Sequence, residues 1–315
     1  MIPHEPPRNP LTGYLYFPPY RVQGYSIAGE ETYVQLPELD VCFDIGRAPR
    51  LALTSNHVAL SHGHMDHVAG AAYYFSQRHF QGMGTGTILC HPDLVEPLRR
   101  MMTSWEQVEA QRTPYRILPL DPESDGFELK NNIFLRSFRT EHTVPSLGYT
   151  VMERRSKLRD EYVGLPQPKL VELKAAGEEI TYTRRIPLVA YMGDTGPCDA
   201  FLREDVANAR ILITECTFID SEHRQRARVG KHLHISDLCD ILPQVNSEFV
   251  VLTHLSRRTH IFQAREELDR ALPAEHRDRV FLMMDSKTNR ARYQKQFAEA
   301  EAQEQAREAG AASES

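Results

Sequence analysis

The sequence predicts a layered α/β protein, and three observations lead there. Along residues 41–285, short apolar segments alternate with stretches of helical periodicity. Four of the apolar runs end on a polar, ligand-type residue, as expected where sheets deliver functional groups to loops along one edge. With 315 residues and 41% hydrophobic content, the chain can bury a substantial core, in one large α/β domain or two smaller ones.

The elements follow in order. Residues 41–46 and 57–60 are apolar enough for strands, the second leading into a histidine-rich loop. A helix is expected from residue 66 to about 78, starting at that loop. Residues 87–90 form a short apolar strand, followed by a helix near 93–108. Residues 127–129 and 133–138 suggest a hairpin through Asn131-Asn132, because Asn tolerates the positive φ of a tight turn. Residues 146–153 make another strand. Three later runs, 187–192, 209–214 and 249–253, lead to Asp194, Glu215 and His254. Residues 280–284 close the sheet before a C-terminal helix. Segment 154–185 is charged and broken by Gly164-Leu165-Pro166-Gln167-Pro168, with a short helix near 170–176; it reads as an arm-like insertion. Residues 299–315 are Ala/Glu/Gln-rich, with five Glu against one Arg, and are expected to pass from a frayed helix into an acidic, disordered tail. Residues 1–40 receive no assignment.

Composition narrows the class. The net charge of −6 argues against a general nucleic-acid binder. Five scattered cysteines without CxxC spacing argue against disulfides and for a reducing cytoplasm. The start of the chain lacks the basic and apolar regions of a signal peptide, and no run reaches the ~18 apolar residues of a membrane span.

The most informative stretch is Ser61-His62-Gly63-His64-Met65-Asp66-His67. Imidazole nitrogens and carboxylate oxygens are ligands for Zn²⁺ and similar ions. In an extended segment, residues two apart face the same way, so His62 and His64 can meet at one ion. Asp66 and His67, past the bend, can face a second. Further candidates are His142 in the run from Glu141 to Tyr149 (EHTVPSLGY), Asp194 in Gly193-Asp194-Thr195-Gly196, and His254 in Leu252-Thr253-His254-Leu255-Ser256.

Together these motifs resemble the metallo-β-lactamase superfamily; the EHTVPSLGY and Thr253-His254-Leu255-Ser256 runs resemble ligand motifs of its ribonuclease Z branch. The resemblance spans about residues 40 to 285. It implies an αβ/βα sandwich of two mixed β-sheets flanked by helices, with residues 1–298 as one hydrolase domain. It also implies two metal ions, zinc first, with manganese or iron also suited to these ligands. His62, His64 and His142 would hold one ion, Asp66, His67 and His254 the other, and Asp194 would bridge them, with Asp66 counted among the catalytic residues. Two cations about 3.5–4 Å apart lower the pKa of a shared water and stabilise charge on an attacked group.

Glu215, in Thr214-Glu215-Cys216-Thr217-Phe218, sits where these relatives carry a Glu that orients a histidine acid. His234, in His232-Leu233-His234-Ile235-Ser236, resembles that histidine; His232 is the alternative, and a polar loop with Ser236 as N-cap is the competing reading. Arg257, with Ser256, is the candidate for substrate phosphates, and Arg224, Arg226, Arg228 and Lys231 form a second basic cluster.

The implied activity is phosphodiester hydrolysis, with precursor tRNA 3′-end cleavage as its RNA form. A hydrolase of the same fold acting on a cyclic nucleotide, another small phosphodiester or a thioester is the alternative. A non-catalytic RNA-binding protein is the third, disfavoured because every ligand position is filled. Relatives form homodimers, so a homodimer is expected. One departure stands out: only 51 residues separate His142 from Asp194, and residues 153–187 carry eight Lys/Arg against six Asp/Glu, thin for a polyanion clamp.

Overall fold

The computed structural model describes residues 3–122 and 124–313. Two mixed sheets face each other. The first orders β1 (Gly13–Phe17), β2 (Tyr20–Ala28), β3 (Glu31–Leu36), β4 (Val41–Phe43), β5 (His57–Ala59), β6 (Thr87–Cys90) and β7 (Arg116–Pro119), with β14 (Leu255–Ser256) joined to β2. The second runs β15 (Val280–Leu282), β13 (Phe249–Thr253), β12 (Ile211–Glu215), β11 (Thr181–Tyr191), β10 (Leu147–Leu158), β9 (Ile133–Arg139) and β8 (Phe127–Lys130). In the first sheet β1–β4 pair antiparallel and β4–β7 parallel; in the second β8–β11 pair antiparallel, while β11, β12, β13 and β15 pair parallel.

The helices are α1 (Met65–Val68), α2 (Ala71–Phe80), α3 (Pro92–Glu109), α4 (Gln167–Ala175), α5 (Glu204–Ala207), α6 (Arg224–Gly230), α7 (Ile235–Ile241), α8 (Ile261–Ala271), α9 (Ala274–Arg277) and α10 (Ser286–Ser313). Between the sheets, Val41, Phe43 and Leu89 of one face Val151, Tyr191 and Ile213 of the other, and the Phe43 and Tyr191 rings stack at 4.6 Å. Outside, α2 and α3 cover the first sheet through Phe75, Leu98 and Met102, and α7 and α8 cover the second through Leu238, Ile241 and Leu268. This is the sandwich the sequence predicts.

Four differences have physical causes. The unassigned N-terminus supplies β1–β3, whose buried faces include polar residues. Gln23 donates to Gln35, and Ser26 bonds Thr32, so β2 and β3 lack an apolar alternation. The helix expected over residues 66–78 is broken into α1 and α2. A Cβ on Gly70 would lie 2.2 Å from the Ala48 nitrogen, and Gly70 N donates to Gly46 O, so the chain bends there to let the loop before β5 approach. The strands at 146–153 and 187–192 run on into the insertion: β10 and β11 stay paired from Tyr149↔Tyr191 out to Leu158↔Thr181, forming a projecting hairpin tipped by α4. Residues 299–313, expected to pass into disorder, continue α10 as a helix, in keeping with the helix propensity of Ala, Glu and Gln; Glu314 and Ser315 lie outside the described residues.

Candidate metal centre and its hydrogen-bonded frame

The residues that could bind metal come from separate strand ends. After β5 the chain runs extended through His64 (φ −69°, ψ 148°), then turns into α1, which presents Asp66 and His67. Gly193, at φ +61°, sits where a Cβ would lie 2.6 Å from the Ser61 Cβ; glycine there lets the β11 end press Asp194 against the histidine loop. His254 leaves β13 at φ +57°, a strained conformation that turns its ring inward.

All seven candidate ligands converge. His62 Nε2 is 3.0 Å from His64 Nδ1, which is 3.3 Å from His142 Nε2. His67 Nε2 is 3.3 Å from His254 Nε2, which is 3.4 Å from Asp66 Oδ2. Asp194 Oδ2 lies between the two groups, 3.3 Å from His67 and His254 and 3.8 Å from His62. Ligand atoms on one tetrahedral zinc, at the usual bond length of about 2.0–2.1 Å, would be roughly 3.3 Å apart. The donor set and its spacing therefore fit divalent metal.

Electrostatics agree. Burial, reinforced by neighbouring imidazoles, holds His62 well below the usual histidine pKa, and burial likewise lowers His64 and His142, leaving their lone pairs available. Burial would raise Asp194 and Asp66, but the surrounding histidines outweigh it and hold both carboxyls low.

A second set of groups holds the rings. Asp44, fully buried and at φ +56°, accepts from Ser61 N (2.7 Å), the Ser61 hydroxyl (2.8 Å), the Tyr191 hydroxyl (2.7 Å) and His67 Nδ1 (2.8 Å). His62 Nδ1 meets Ser61 Oγ, His142 Nδ1 donates to the Lys231 carbonyl, and Gly29 N donates to Asp66. Such partners fix tautomer and ring orientation. Sequence reasoning missed Asp44, although it follows β4 just as Asp194, Glu215 and His254 follow their strands.

Glu215 is fully buried beside this cluster. It accepts from Thr195 N (2.8 Å), Leu233 N (3.1 Å) and the Thr217 hydroxyl (2.5 Å), and its Oε1 is 2.9 Å from His232 Nδ1. Thr217 Oγ1 also lies 3.1 Å from His254 Nδ1; since its proton goes to Glu215, it accepts there, leaving His254 Nε2 free for a cation. Nothing in the sequence pattern singled out Thr217. Burial lowers His232, but Glu215 outweighs it and lifts the pKa to about 9. The His232 ring lies nearly parallel to His254 at 5.5 Å and edge-on to His142 at 5.1 Å.

His234, the sequence choice for the acid, is placed elsewhere. Its ring caps α7: Nδ1 accepts from Ser236 N (3.1 Å) and pairs with the Ser236 hydroxyl, while Nε2 donates to the Asp220 carbonyl (3.1 Å). Both nitrogens are engaged away from the cluster, and the N-cap is His234 rather than Ser236. The histidine that faces Glu215 is the alternative, His232. Arg257 is largely exposed, 3.8 Å from Glu30; Ser256 donates its backbone N–H to Thr217 O, next to the cluster. Arg224, Arg226 and Arg228 are exposed on α6, and Lys231 pairs with Glu141. No helix among the described residues is long and apolar enough to cross a membrane.

The fold and site define a metal-dependent hydrolase of the metallo-β-lactamase type. The family model described as "Beta-lactamase superfamily domain" matches residues 47–255. The tRNase Z TRZ1 of Arabidopsis thaliana is 31% identical over 268 residues, covering 84% of this chain and 95% of the relative. The chloroplastic tRNase Z TRZ2 of the same plant is 33% identical over 254 residues, 78% of this chain and 70% of its own. Human tRNase Z, short form, superposes with a TM-score of 0.52 over 86% of this chain and 95% of its own, at 17% identity, which is a likeness of fold. The chain belongs to the β-lactamase superfamily and, within it, to the tRNase Z (ribonuclease Z) family.

Proposed function

We propose that this hydrolase cleaves precursor tRNA to remove the 3′ trailer, using two zinc ions and a histidine acid at position 232. The observation that carries the reading is the buried Glu215–His232 pair set against the ligand cluster. His62, His64 and His142 would hold one ion, Asp66, His67 and His254 the other, with Asp194 between. When bound, such a pair supplies a nucleophile from water near neutral pH and offsets the charge that builds on phosphorus.

The chain's own groups do the rest. Asp44, Ser61, Thr217 and the Lys231 carbonyl hold the ligand rings before substrate arrives, so little reorganisation is needed during the reaction. Glu215 takes the Nδ1 proton side of His232 and favours the doubly protonated ring, leaving Nε2–H to protonate the departing ribose oxygen, a strong base that needs an acid. Arg257 and Ser256, on the loop after His254, are the proposed phosphate contacts. The relatives' names support tRNA as substrate, while the projecting hairpin and exposed α6 arginines offer basic surface for it. Homodimerisation and a cytoplasmic location complete the proposal.

The test is to incubate purified protein with precursor tRNA and size the products. A single cut releasing the 3′ trailer is the expected result. Turnover of bis(p-nitrophenyl) phosphate with intact precursor would instead favour a small phosphodiester as substrate.

A further inference from the structure

Away from the metal centre, three arginines share one cavity. Its volume is about 510 Å³, and Arg136, Arg185 and Arg203 line it with Met152, Pro187 and Asp205. Its place in the fold separates it from the hydrolytic site. Asp194 follows the C-terminal end of β11, whereas Pro187 lies seven residues earlier, on that strand. At about 3.3 Å per residue this puts roughly 20 Å between them. Asn208, also on the cavity wall, precedes β12, while Glu215 ends it.

Arg203 is paired in this cavity, but Arg136 and Arg185 are poorly met. Arg136 is mostly buried, and its Nε–H has no acceptor among the described residues. The nearest carboxylate, Asp205, is 3.9 Å from the Arg136 Nη1, beyond hydrogen-bond reach. Asp205 is also committed: its two oxygens receive Nε and Nη2 of Arg203 at 3.1 and 3.2 Å. Among the described residues Arg185 reaches only Asp125, an 85% exposed side chain 3.3 Å away, a pair weakened by solvent. Glu204 is the remaining acid on the wall. An enclosed guanidinium donor without an acceptor is costly, and native structures rarely leave one.

We propose that this cavity is a second ligand site, for a phosphate group carried on a small body with an apolar face, such as a mononucleotide. A guanidinium presents its donors in a planar fork suited to phosphate oxygens. A phosphate here would give Arg136 Nε–H its acceptor and Arg185 a partner better than Asp125. Met152 and Pro187 supply apolar wall for the rest of the molecule, and the volume lies within the range of small-ligand sites.

The test is calorimetric titration of the metal-loaded full chain with AMP and with inorganic phosphate. Three variants accompany it: R136Q, R185Q and H62A. Arg185 is about half exposed, so R185Q keeps the experiment valid if R136Q folds poorly. The expected result is AMP binding that survives H62A, weakens at least tenfold in R136Q and R185Q, and is competed by phosphate. Both arginine variants should turn over bis(p-nitrophenyl) phosphate at the wild-type rate. AMP affinity within twofold of wild type in both arginine variants would overturn the proposal, as would loss of all AMP binding in H62A. If AMP never binds but R136Q and R185Q raise KM for precursor tRNA tenfold, the phosphate belongs to the RNA backbone and the small-ligand site is refuted.

Discussion

Exchanging His232 or His234 for alanine separates two histidines that lie two residues apart. In H232A, Glu215 keeps four of its five donors, from Thr195 N, Leu233 N and the Thr217 N–H and hydroxyl, so the fold and the ligand rings should hold. What disappears is the proposed proton donor. Removing a general acid typically costs about 10²–10⁴ in rate, or about 2.7–5.5 kcal/mol of barrier at about 1.36 kcal/mol per decade. In H234A the ring that caps α7 is lost, together with its bonds to Ser236 and Asp220. A lost cap costs roughly 1 kcal/mol of stability, a fall of a few degrees in Tm, with single-turnover cleavage close to wild type. The leaving group adds a control. A p-nitrophenolate is a far weaker base than a ribose alkoxide, so H232A should lose much less on bis(p-nitrophenyl) phosphate than on precursor tRNA. Metal analysis runs alongside both assays. If H234A loses cleavage with metal in place while H232A keeps it, or if H232A is hurt equally on both substrates, the acid assignment fails.

Three further outcomes follow from the frame. T217V should weaken metal binding or slow cleavage roughly 10–100-fold, as removal of a ligand's hydrogen-bond partner does. T217S should restore both, and a dye-competition metal titration that shows no change in T217V would remove Thr217 from the frame. D44N keeps the shape at Asp44 but loses the charge facing His67; metal affinity should fall in the same range, read by the same titration, while unchanged affinity would count against Asp44. Dialysis against a chelator should abolish cleavage and lower Tm, because bound cations offset the charge of Asp66 and Asp194 and hold the four strand ends that converge there. Full activity after verified metal removal would contradict the site.

The late parallel strands were legible because each is a short apolar run covered on both faces, and β13 and β6 match the expected residues. The first three strands were not. In β2 and β3, buried Gln23, Gln35, Ser26 and Thr32 satisfy one another across strands, so local hydrophobicity masked the burial there. The length of the β10–β11 hairpin was hidden for the opposite reason. Beyond Glu153 both strands are exposed and charged, and they are held by each other rather than by a core. The Gly70 break depended on a contact with Ala48, more than twenty residues away.

The same distinction runs through the site. Metal ligands are drawn from a few residue types, and here four candidates fall in one six-residue run, so spacing alone singled them out. Their hydrogen-bond partners carry no such code. One is the backbone carbonyl of Lys231, which any residue could supply, and another is a threonine hydroxyl. The choice between His232 and His234 stayed open for the same reason, since residues two apart on an extended chain look equivalent from sequence. The structure separates them through backbone geometry. Lys231 takes φ +51° and ends α6, turning His232 toward Glu215. Two residues on, the chain starts α7, where Asp237 accepts from His234 N and His234 accepts from Ser236 N. An acidic residue at the third helical position is half of a capping box, so His234-Ile235-Ser236-Asp237 carried a sign of its capping role. A histidine whose ring nitrogens already serve a helix end and a carbonyl has no free N–H for a leaving group. The proposed proton-transfer role therefore falls to the ring whose second nitrogen is unspent, and the leaving-group comparison in H232A tests it directly.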